Sequence, residues 1–141
     1  MDIEGYHYPD DLYYDKNHFW ARVEGDTVTM GATDFSQKLA GDITYVDIEQ
    51  EGETVEQGKP FASMESGKWV GRVYAVVSGT VVGINSALED EPELINRSCY
   101  SEGWLFKMTA SSLQEELGSL LKTGPELCDF VRAEVVRVNK M

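Results

Sequence analysis

Glycine recurs at short intervals through the middle of the chain, and this spacing limits what the sequence can fold into. Between Asp42 and Leu105 the apolar residues fall in short alternating runs, and glycines separate one run from the next. Those glycines are Gly52, Gly58, Gly67, Gly71, Gly79, Gly83 and Gly103. Such runs are typical of short strands joined by tight turns. The pattern therefore predicts a mainly β fold, of the sandwich or barrel-sandwich type.

Other elements are predicted on the N-terminal side of this segment. Residues 12–31 contain two alternating stretches around Gly25-Asp26, which predicts a β-hairpin. Thr33 is a good N-cap, and Phe35 and Leu39 are spaced to share one helical face. We therefore expect a short helix after the hairpin, ended by Gly41.

Two helices are predicted at the C-terminal end. Residues 111–115 contain two overlapping capping boxes, Ser-x-x-Gln and Ser-x-x-Glu, which predict the start of a helix that reaches Leu121. Thr123-Gly124-Pro125 interrupts the helical pattern, and apolar residues then recur at helical spacing from Leu127 to Val138. We expect both helices to pack on the β domain, with a partner-binding appendage as the alternative.

A faint internal repeat places one lysine at a distinctive position. Residues 41–52 can be laid over residues 79–90, and in each half a glycine opens an alternating strand that an acidic turn follows. Two such halves predict sheets related by a pseudo-two-fold axis. Lys68 falls between the halves, where a hairpin would join them.

Length and charge exclude several classes of protein. The chain has 141 residues and a net charge of -13, which fits one domain with its own core, covering residues 1–141. Nucleic acid and anionic membranes repel a surface with this negative charge. We therefore expect neither as a partner. No signal peptide or membrane span is apparent, which predicts a cytoplasmic protein with Cys99 and Cys128 as free thiols.

The residue patterns of common catalytic sites are missing from the sequence. The sequence around Lys68 does not match the phosphate-binding motif Gly-x-x-x-x-Gly-Lys-Ser/Thr. Ala62 occupies the position of the first glycine, and Trp69 occupies the position of the serine or threonine. The two histidines and two cysteines lack metal-ligand spacing. His18 is better explained as a hydrogen-bonded structural residue than as a catalyst. We therefore predict that the protein is not an independent enzyme.

The residues alone leave two roles open for Lys68. One is a solvating surface charge, and the other is a point of covalent attachment. A hairpin tip holds an amine away from the fold while its flanks stay fixed, which suits an enzyme that must acylate one lysine among many. Gly67 permits the positive φ that such a turn can require.

Several ordered segments resemble the H protein of the glycine cleavage system. They are residues 14–26, 31–35, 39–43, 65–68, 77–79, 85–90, 92–94 and 102–105. The resemblance spans residues 12–108, and within the C-terminal helices of residues 110–141 the stretch from Leu120 to Val131 fits the family's C-terminal helix more loosely. It implies a lipoyl/biotinyl-type barrel-sandwich hybrid fold with lipoate amide-linked to Lys68, flanked by Glu65, Gly67 and Trp69. It also implies a lipoate-protein ligase and partner enzymes that the arm visits. The Met-Lys-Met tip of biotin carriers is missing, so lipoate is favoured.

The sequence departs from this family around the tip. Gly67 and Trp69 replace a small aliphatic residue and alanine, Val76 replaces a proline, and residues 98–101 replace Asp-Pro-Tyr-Gly. These departures are similar to those of H-like lipoate-binding proteins that serve cytoplasmic sulfur oxidation with a heterodisulfide-reductase-like complex. We favour that sulfur-carrying role, with a possible thiol function for Cys99 and Cys128. The alternatives are an aminomethyl carrier of glycine cleavage and an unmodified interaction or regulatory module.

Acidic residues supply candidate docking positions for basic partners. They are Glu65, Asp34 and the run from Glu89 to Glu91. A general role of these surface charges in keeping the protein soluble explains their presence equally well. We expect the carrier to be a monomer.

Overall fold

A computed structural model describes residues 1–140 as a mainly β protein with short helices. The strands are β1 (Asp2–Ile3), β2 (Tyr6–His7), β3 (Tyr13–Tyr14), β4 (Phe19–Glu24), β5 (Thr27–Ala32), β6 (Ile43–Val46), β7 (Thr54–Val55), β8 (Pro60–Ser66), β9 (Trp69–Tyr74), β10 (Gly79–Ile84) and β11 (Phe106–Ala110). The helices are α1 (Asp34–Ala40), α2 (Leu94–Arg97), α3 (Leu113–Leu117) and α4 (Pro125–Asn139), with a 3-10 helix over Ser86–Glu89.

The strands form two larger antiparallel sheets and one small ribbon. One sheet has six strands in the order β3-β4-β5-β11-β10-β7, and the other has three in the order β6-β8-β9. The ribbon pairs β1 with β2. Side chains from both larger sheets, such as Met30, Phe106, Met64 and Val73, share one core cluster and are almost fully buried. Two sheets that enclose one core make a sandwich, so the predicted fold class is confirmed.

The repeat contributes one strand to each larger sheet. β6 comes from its first half and lies in the three-stranded sheet, while β10 comes from its second half and lies in the six-stranded sheet. The segments after the two strands differ, because a turn follows β6 whereas the 3-10 helix Ser86–Glu89 follows β10. The hairpin predicted to join the halves is formed by β8 and β9.

The predicted N-terminal hairpin and helix are both present. Glu24 pairs with Thr27 at the closed end of β4 and β5, and Gly25 in the turn has a φ of 65°. The Thr33 hydroxyl accepts a hydrogen bond from the Ser36 amide at 3.2 Å and caps α1. Phe35 and Leu39 lie four positions apart in α1, as predicted, but Phe35 is buried and Leu39 is 47% exposed. α1 has seven residues, about two turns, and the core covers its face at Phe35 but not at Leu39.

The first C-terminal helix is shorter than predicted. α3 ends at Leu117, and Ser112 makes no side-chain capping bond. The nearby Glu116 carboxylate turns away from the helix and accepts hydrogen bonds from the Ser78 amide and hydroxyl at 2.7 and 2.6 Å. Leu121 pairs with Tyr14 as an isolated bridge. Long-range contacts thus anchor the C-terminal side of α3, while the Ser112 capping bond at its start is not formed.

The second C-terminal helix packs on the β domain, as predicted. Leu127 and Val131 of α4 are buried in a second core cluster that also contains Trp20 and Phe35. The His18 ring stacks on Phe130, and its Nε2 donates a hydrogen bond to the Glu134 carboxylate at 2.7 Å. Within residues 1–140, none of the helices combines the length and apolarity that crossing a bilayer requires.

Candidate functional site

The hairpin of β8 and β9 carries Lys68 at its tip. Ser66 and Trp69 form the last paired positions of the two strands, so Gly67 and Lys68 are the two residues of the turn. The Lys68 amide donates to the Ser66 hydroxyl at 3.4 Å, which is a long hydrogen bond. The strands fix both sides of the turn, and the lysine itself is exposed.

The Lys68 side chain is free of ionic partners and lies across Gly41. It makes no salt bridge with any residue of the described chain, 1–140. A Cβ atom on Gly41 would lie 2.8 Å from Lys68 Cε and 3.4 Å from Nζ. The missing side chain at Gly41 is therefore what makes room for the lysine stem. An open depression of about 530 Å³ surrounds it, walled by Gly41, Asp42, Thr44 and the turn.

Asn96 holds the loop beneath the lysine. Its amide nitrogen donates to the Gly41 carbonyl at 2.8 Å and to Gln37 Oε1 at 3.1 Å. Its oxygen accepts from the Ile43 amide at 2.9 Å. One side chain thus fixes the end of α1 and the start of β6, between which Gly41 lies with a φ of 81°. This role could not be recognised in the sequence, because the partners of Asn96 lie more than fifty positions away.

Gly67 lies in the turn with an ordinary backbone conformation. Neither Gly67 nor Lys68 has a positive φ. A Cβ atom on Gly67 would meet no other atom within 4 Å. The turn therefore does not use the positive φ that glycine permits, and it does not require a glycine at position 67. An exposed turn of this kind accepts most residue types.

Trp69 lies flat along its own strand. Its ring occupies the space above Gly71, where a Cβ would come within 1.8 Å of Trp69 Cη2. The indole remains 37% exposed. Glu65, the other predicted flanking residue, pairs in register with Tyr45 on one side and Val70 on the other. The four predicted residues from Glu65 to Trp69 are thus close together, as neighbours in one hairpin must be.

The two cysteines lie apart from this hairpin. Both are free thiols, as predicted. Cys99 is buried, and burial, followed by the nearby Asp34 carboxylate, raises its thiol pKa to about 12. Cys128 is half-buried on α4, with Sγ 3.9 Å from the Met1 sulfur. Neither cysteine lines the depression around Lys68, so the geometry does not support thiol exchange with an arm attached there.

Two further candidates have structural partners. Asp34 accepts hydrogen bonds from the His7 amide, Gln37 and Lys38. Burial opposes ionisation, but these three donors outweigh it and lower the pKa of Asp34. Because its oxygens are occupied within the fold, Asp34 is a poor docking residue for a partner. Burial also lowers the pKa of His18, against the opposing effect of Glu134, and its hydrogen bond to Glu134 matches the predicted structural role.

No metal centre is apparent in the part of the chain that the structure describes. Residues 1–140 contain no group of three or more histidine, cysteine, aspartate or glutamate side chains that could hold a metal ion. The candidate site is therefore an exposed amine with fixed flanks, and the chemistry open to it is acylation of Nζ.

Comparisons with known proteins relate the chain to one family. The family model described as "Glycine cleavage H-protein" matches residues 12–134. The glycine cleavage system H protein of Thermus thermophilus is 43% identical over 124 residues, which cover 88% of this chain and 92% of that protein. Glycine cleavage system H protein 2 of Aquifex aeolicus is 44% identical over 131 residues, covering 92% of this chain and 81% of that protein.

A solved structure supports the same relationship. The crystal structure of a glycine cleavage system H protein from Mycobacterium marinum superimposes with a TM-score of 0.74 at 31% sequence identity. The match covers 82% of this chain and 93% of that one. The barrel-sandwich hybrid expected from the sequence is thereby confirmed.

Proposed function

The chain belongs to the glycine cleavage H-protein family, and on that premise we propose that Lys68 is the residue that carries its lipoyl group. Proteins of this family are lipoyl carriers and not catalysts, and their lipoate is bound covalently to a lysine. The single observation that carries the assignment is the placement of Lys68 at an exposed, two-residue hairpin turn without an ionic partner in residues 1–140.

A lysine of this kind serves to deliver the lipoyl group to partner enzymes. A lipoate ligase would form an amide between the lipoyl carboxyl group and Nζ, with loss of the activating group from the acyl donor and a proton from the amine. The arm then raises the effective concentration of its dithiolane at each docked enzyme, so that transfer becomes nearly intramolecular. The disulfide and dithiol forms supply the chemistry, and the protein supplies position.

Intact-mass measurement after co-expression with a lipoate ligase tests this assignment. We expect one lipoyl adduct on the wild type and none on Lys68→Arg. Lys59→Arg is the matched control, because Lys59 precedes the same hairpin, is exposed and pairs with Glu56. An adduct that persists in Lys68→Arg, or a wild type that gains none, would contradict the carrier assignment. The second outcome would favour an unmodified interaction module.

For the cargo, aminomethyl carriage between glycine cleavage enzymes has the better support. The relatives that cover most of this chain at 43 to 46% identity are named for that system. We therefore propose the glycine cleavage enzymes as partners, ahead of the sulfur-oxidation partners that the tip residues had favoured. The lipoylated protein, supplied to glycine decarboxylase and its aminomethyltransferase, is expected to sustain glycine turnover.

Sulfur carriage remains the second candidate, because of one observation. The walls of the cavity beside Trp69 include Arg72 and no carboxylate of residues 1–140, which suits an anionic sulfur adduct better than an ammonium group. If the lipoylated protein fails to support glycine turnover while a control H protein succeeds, the sulfur role gains support. Robust turnover would count against it.

A further inference from the structure

A cavity of about 220 Å³ lies at the open end of the β8–β9 hairpin, the end away from Lys68. Gly58 and Ala75 form one wall, and the Gly58 amide donates to the Ala75 carbonyl across that end at 2.8 Å. The turn between β3 and β4 and the segment after α3 form the other walls. We call this cavity the Asp15 pocket, after the most buried of its polar residues, Asp15, Lys16, Asn17, Gln57 and Ser119.

Asp15 is a buried carboxylate without a counter-ion in residues 1–140. Among the aspartates, glutamates, lysines and arginines of that part of the chain it is the one that is buried, at 8% exposure. Its Oδ1 accepts from the Asn17 and Phe19 amides, whereas its Oδ2 has no partner there. None of the salt bridges within residues 1–140 includes it. A buried charge is normally paired, because leaving it unpaired is costly.

Two further side chains present hydrogen-bond acceptors in the pocket. Gln57 Nε2 donates to the carbonyls of Val76 and Glu116 at 3.1 Å, which fixes the amide so that Oε1 faces Ser119. The Ser119 hydroxyl lies 3.2 Å from Gln57 Oε1 and 2.8 Å from the Glu116 carbonyl. Because its single proton is used in these bonds, the hydroxyl oxygen has lone pairs left to accept from another donor.

The remaining walls add little positive charge. The Asn17 side chain makes no hydrogen bond in residues 1–140, so its amide oxygen is a further available acceptor. Lys16 is exposed and forms no salt bridge with Asp15. Ala75 and Leu120 supply apolar surface. The pocket therefore combines one carboxylate, several neutral oxygens and a small apolar wall.

This set of groups suits a primary ammonium group better than a metal ion. Divalent metals are usually held by more than one charged ligand, and residues 1–140 contain no group of three or more histidine, cysteine, aspartate or glutamate side chains that could hold one. A primary ammonium group has one positive charge and three donors. The cavity of about 220 Å³ is several times the roughly 30 Å³ that one water occupies, so it has room for a short alkyl amine.

We propose that the Asp15 pocket binds a primary ammonium group, with Asp15 as its counter-ion and Ser119 and Gln57 as further acceptors. The attraction is stronger than at an exposed carboxylate, because the surroundings of Asp15 screen charge less than bulk water does. The site goes beyond the carrier role, and it does not depend on any modification of Lys68, at the opposite end of the hairpin.

Binding at this site is expected to depend on pH. Burial raises the pKa of Asp15 to about 7, so near neutral pH part of the protein holds a proton that the ammonium group must displace into solvent. The affinity should therefore rise between about pH 6 and about pH 8, in step with the ionised fraction of Asp15. Lys16 is the other titratable residue on the walls, while Glu56 and Glu116, next to Gln57, have partners of their own.

Titration with methylammonium chloride, followed by NMR, tests the proposal. The amide resonances of Asn17 and Phe19 report on the site, because both amides bond to Asp15. Tetramethylammonium chloride is the control ligand, since it has the same charge and no N–H donor. We expect saturable shifts with methylammonium, several-fold smaller shifts with tetramethylammonium, and several-fold tighter binding at pH 8 than at pH 6.

A second ligand identifies the source of the ammonium group. Nα-acetyllysine methylamide presents the amine as a protein side chain does. Tighter binding of this compound than of methylammonium would identify a lysine of a partner protein, and the reverse order would identify a free small amine. Either order supports the pocket as an ammonium site.

Substitutions separate the pocket from general attraction to an acidic protein. Asp15→Asn keeps an oxygen for the two amides and removes the counter-ion, so the saturable shifts should be lost. Asp11→Asn is the matched control, because it removes an exposed carboxylate outside the pocket and should bind as the wild type does. Ser119→Ala should weaken binding several-fold. Shifts that never saturate, equal shifts from the two control-matched cations, affinity that does not rise with pH, or binding that survives in Asp15→Asn would overturn the inference.

Discussion

Two glycines lie on either side of the Lys68 stem, and their local geometries differ. A Cβ atom on Gly67 would have no neighbour within 4 Å, and the φ of Gly67 lies outside the positive range. Gly41 has a φ of 81° and a ψ of -162°, and its Cβ would collide with Lys68 Cε. The same substitution therefore has opposite consequences at the two positions.

We predict that Gly67→Ala is neutral or stabilises the fold by roughly 0.5 kcal/mol, because it restricts the unfolded chain without straining the turn. Gly41→Ala is expected to destabilise the protein by on the order of 1–3 kcal/mol, since that backbone conformation is nearly confined to glycine. Urea unfolding measures both, and lipoylation of Gly41→Ala should also slow. A destabilised Gly67→Ala would show that the turn uses a glycine conformation after all.

Asp15 is the residue with the largest expected effect of pH on stability. One of its oxygens accepts from the amides of Asn17 and Phe19 at 3.0 and 2.8 Å, while the other is buried without a partner in residues 1–140. Burial raises the pKa of Asp15 to about 7, although the two amide donors oppose the shift. The native protein therefore holds a proton that the unfolded chain, with a pKa of about 3.9, has released.

The sign of the linkage follows from that difference. Between about pH 4 and pH 7 the folded state binds more protons, so the free energy of unfolding falls as pH rises, and it levels off above pH 7. Asp15→Asn removes this titration but keeps an oxygen for the two amides. We predict that the variant gains on the order of 4 kcal/mol relative to wild type between pH 4 and pH 7.5, measured by denaturant unfolding. Parallel stability profiles would contradict the raised pKa.

At the scale of elements, Asn96 of α2 couples α1 to β6 below the proposed site. Asn96→Ala would leave the Ile43 amide and the Gly41 carbonyl without their partners. We predict a loss of roughly 2 kcal/mol of stability and a lower rate of lipoylation at Lys68, because the loop that supports the lysine stem loosens. Asn139→Ala, at the exposed end of α4, is the control. Unchanged lipoylation in Asn96→Ala would mean that the loop does not position the lysine.

The elements that could be predicted from the sequence have local causes. The β4–β5 hairpin follows from Gly25-Asp26 between alternating strands, and α1 follows from Thr33 and Gly41 at its ends. The end of α3 could not be predicted, because Glu116 bonds to Ser78, which lies 38 positions away. A contact with a residue so far along the chain cannot be recognised from the local sequence pattern.

The candidate site also has features that could be predicted from the local sequence and features that could not. Lys68 at a hairpin tip could be predicted, since the strands on either side alternate and the turn lies between them. The cavity beside Trp69 could not, because Phe19, Leu39 and Arg72 on its walls come from different elements and meet only in the folded protein. The backbone conformation of Gly67 could not be predicted either, because glycine permits a positive φ but does not require it.

For the whole molecule, the dominant property is a net charge of -13 on 141 residues. A carrier must meet several enzymes in turn and leave each of them, so fast association counts for more than tight binding. Long-range attraction between an acidic carrier and a basic docking surface accelerates encounter without adding close contacts. Of the candidate docking residues, Glu65 is the nearest to Lys68 in the hairpin, and Glu91 is already paired with Arg97.

We therefore predict that recognition by the lipoate ligase weakens as salt is added. The KM for lipoylation should rise several-fold between about 0.05 M and about 0.5 M NaCl, because the screening length shrinks from roughly 14 Å to roughly 4 Å. Glu65→Gln should raise KM at low salt and flatten the salt dependence, whereas Glu126→Gln removes the same charge from the start of α4 and should leave KM nearly unchanged. A KM that stays constant across this range would mean that the ligase binds through the exposed apolar residues beside the turn, Tyr45 and Val70, and not through charge.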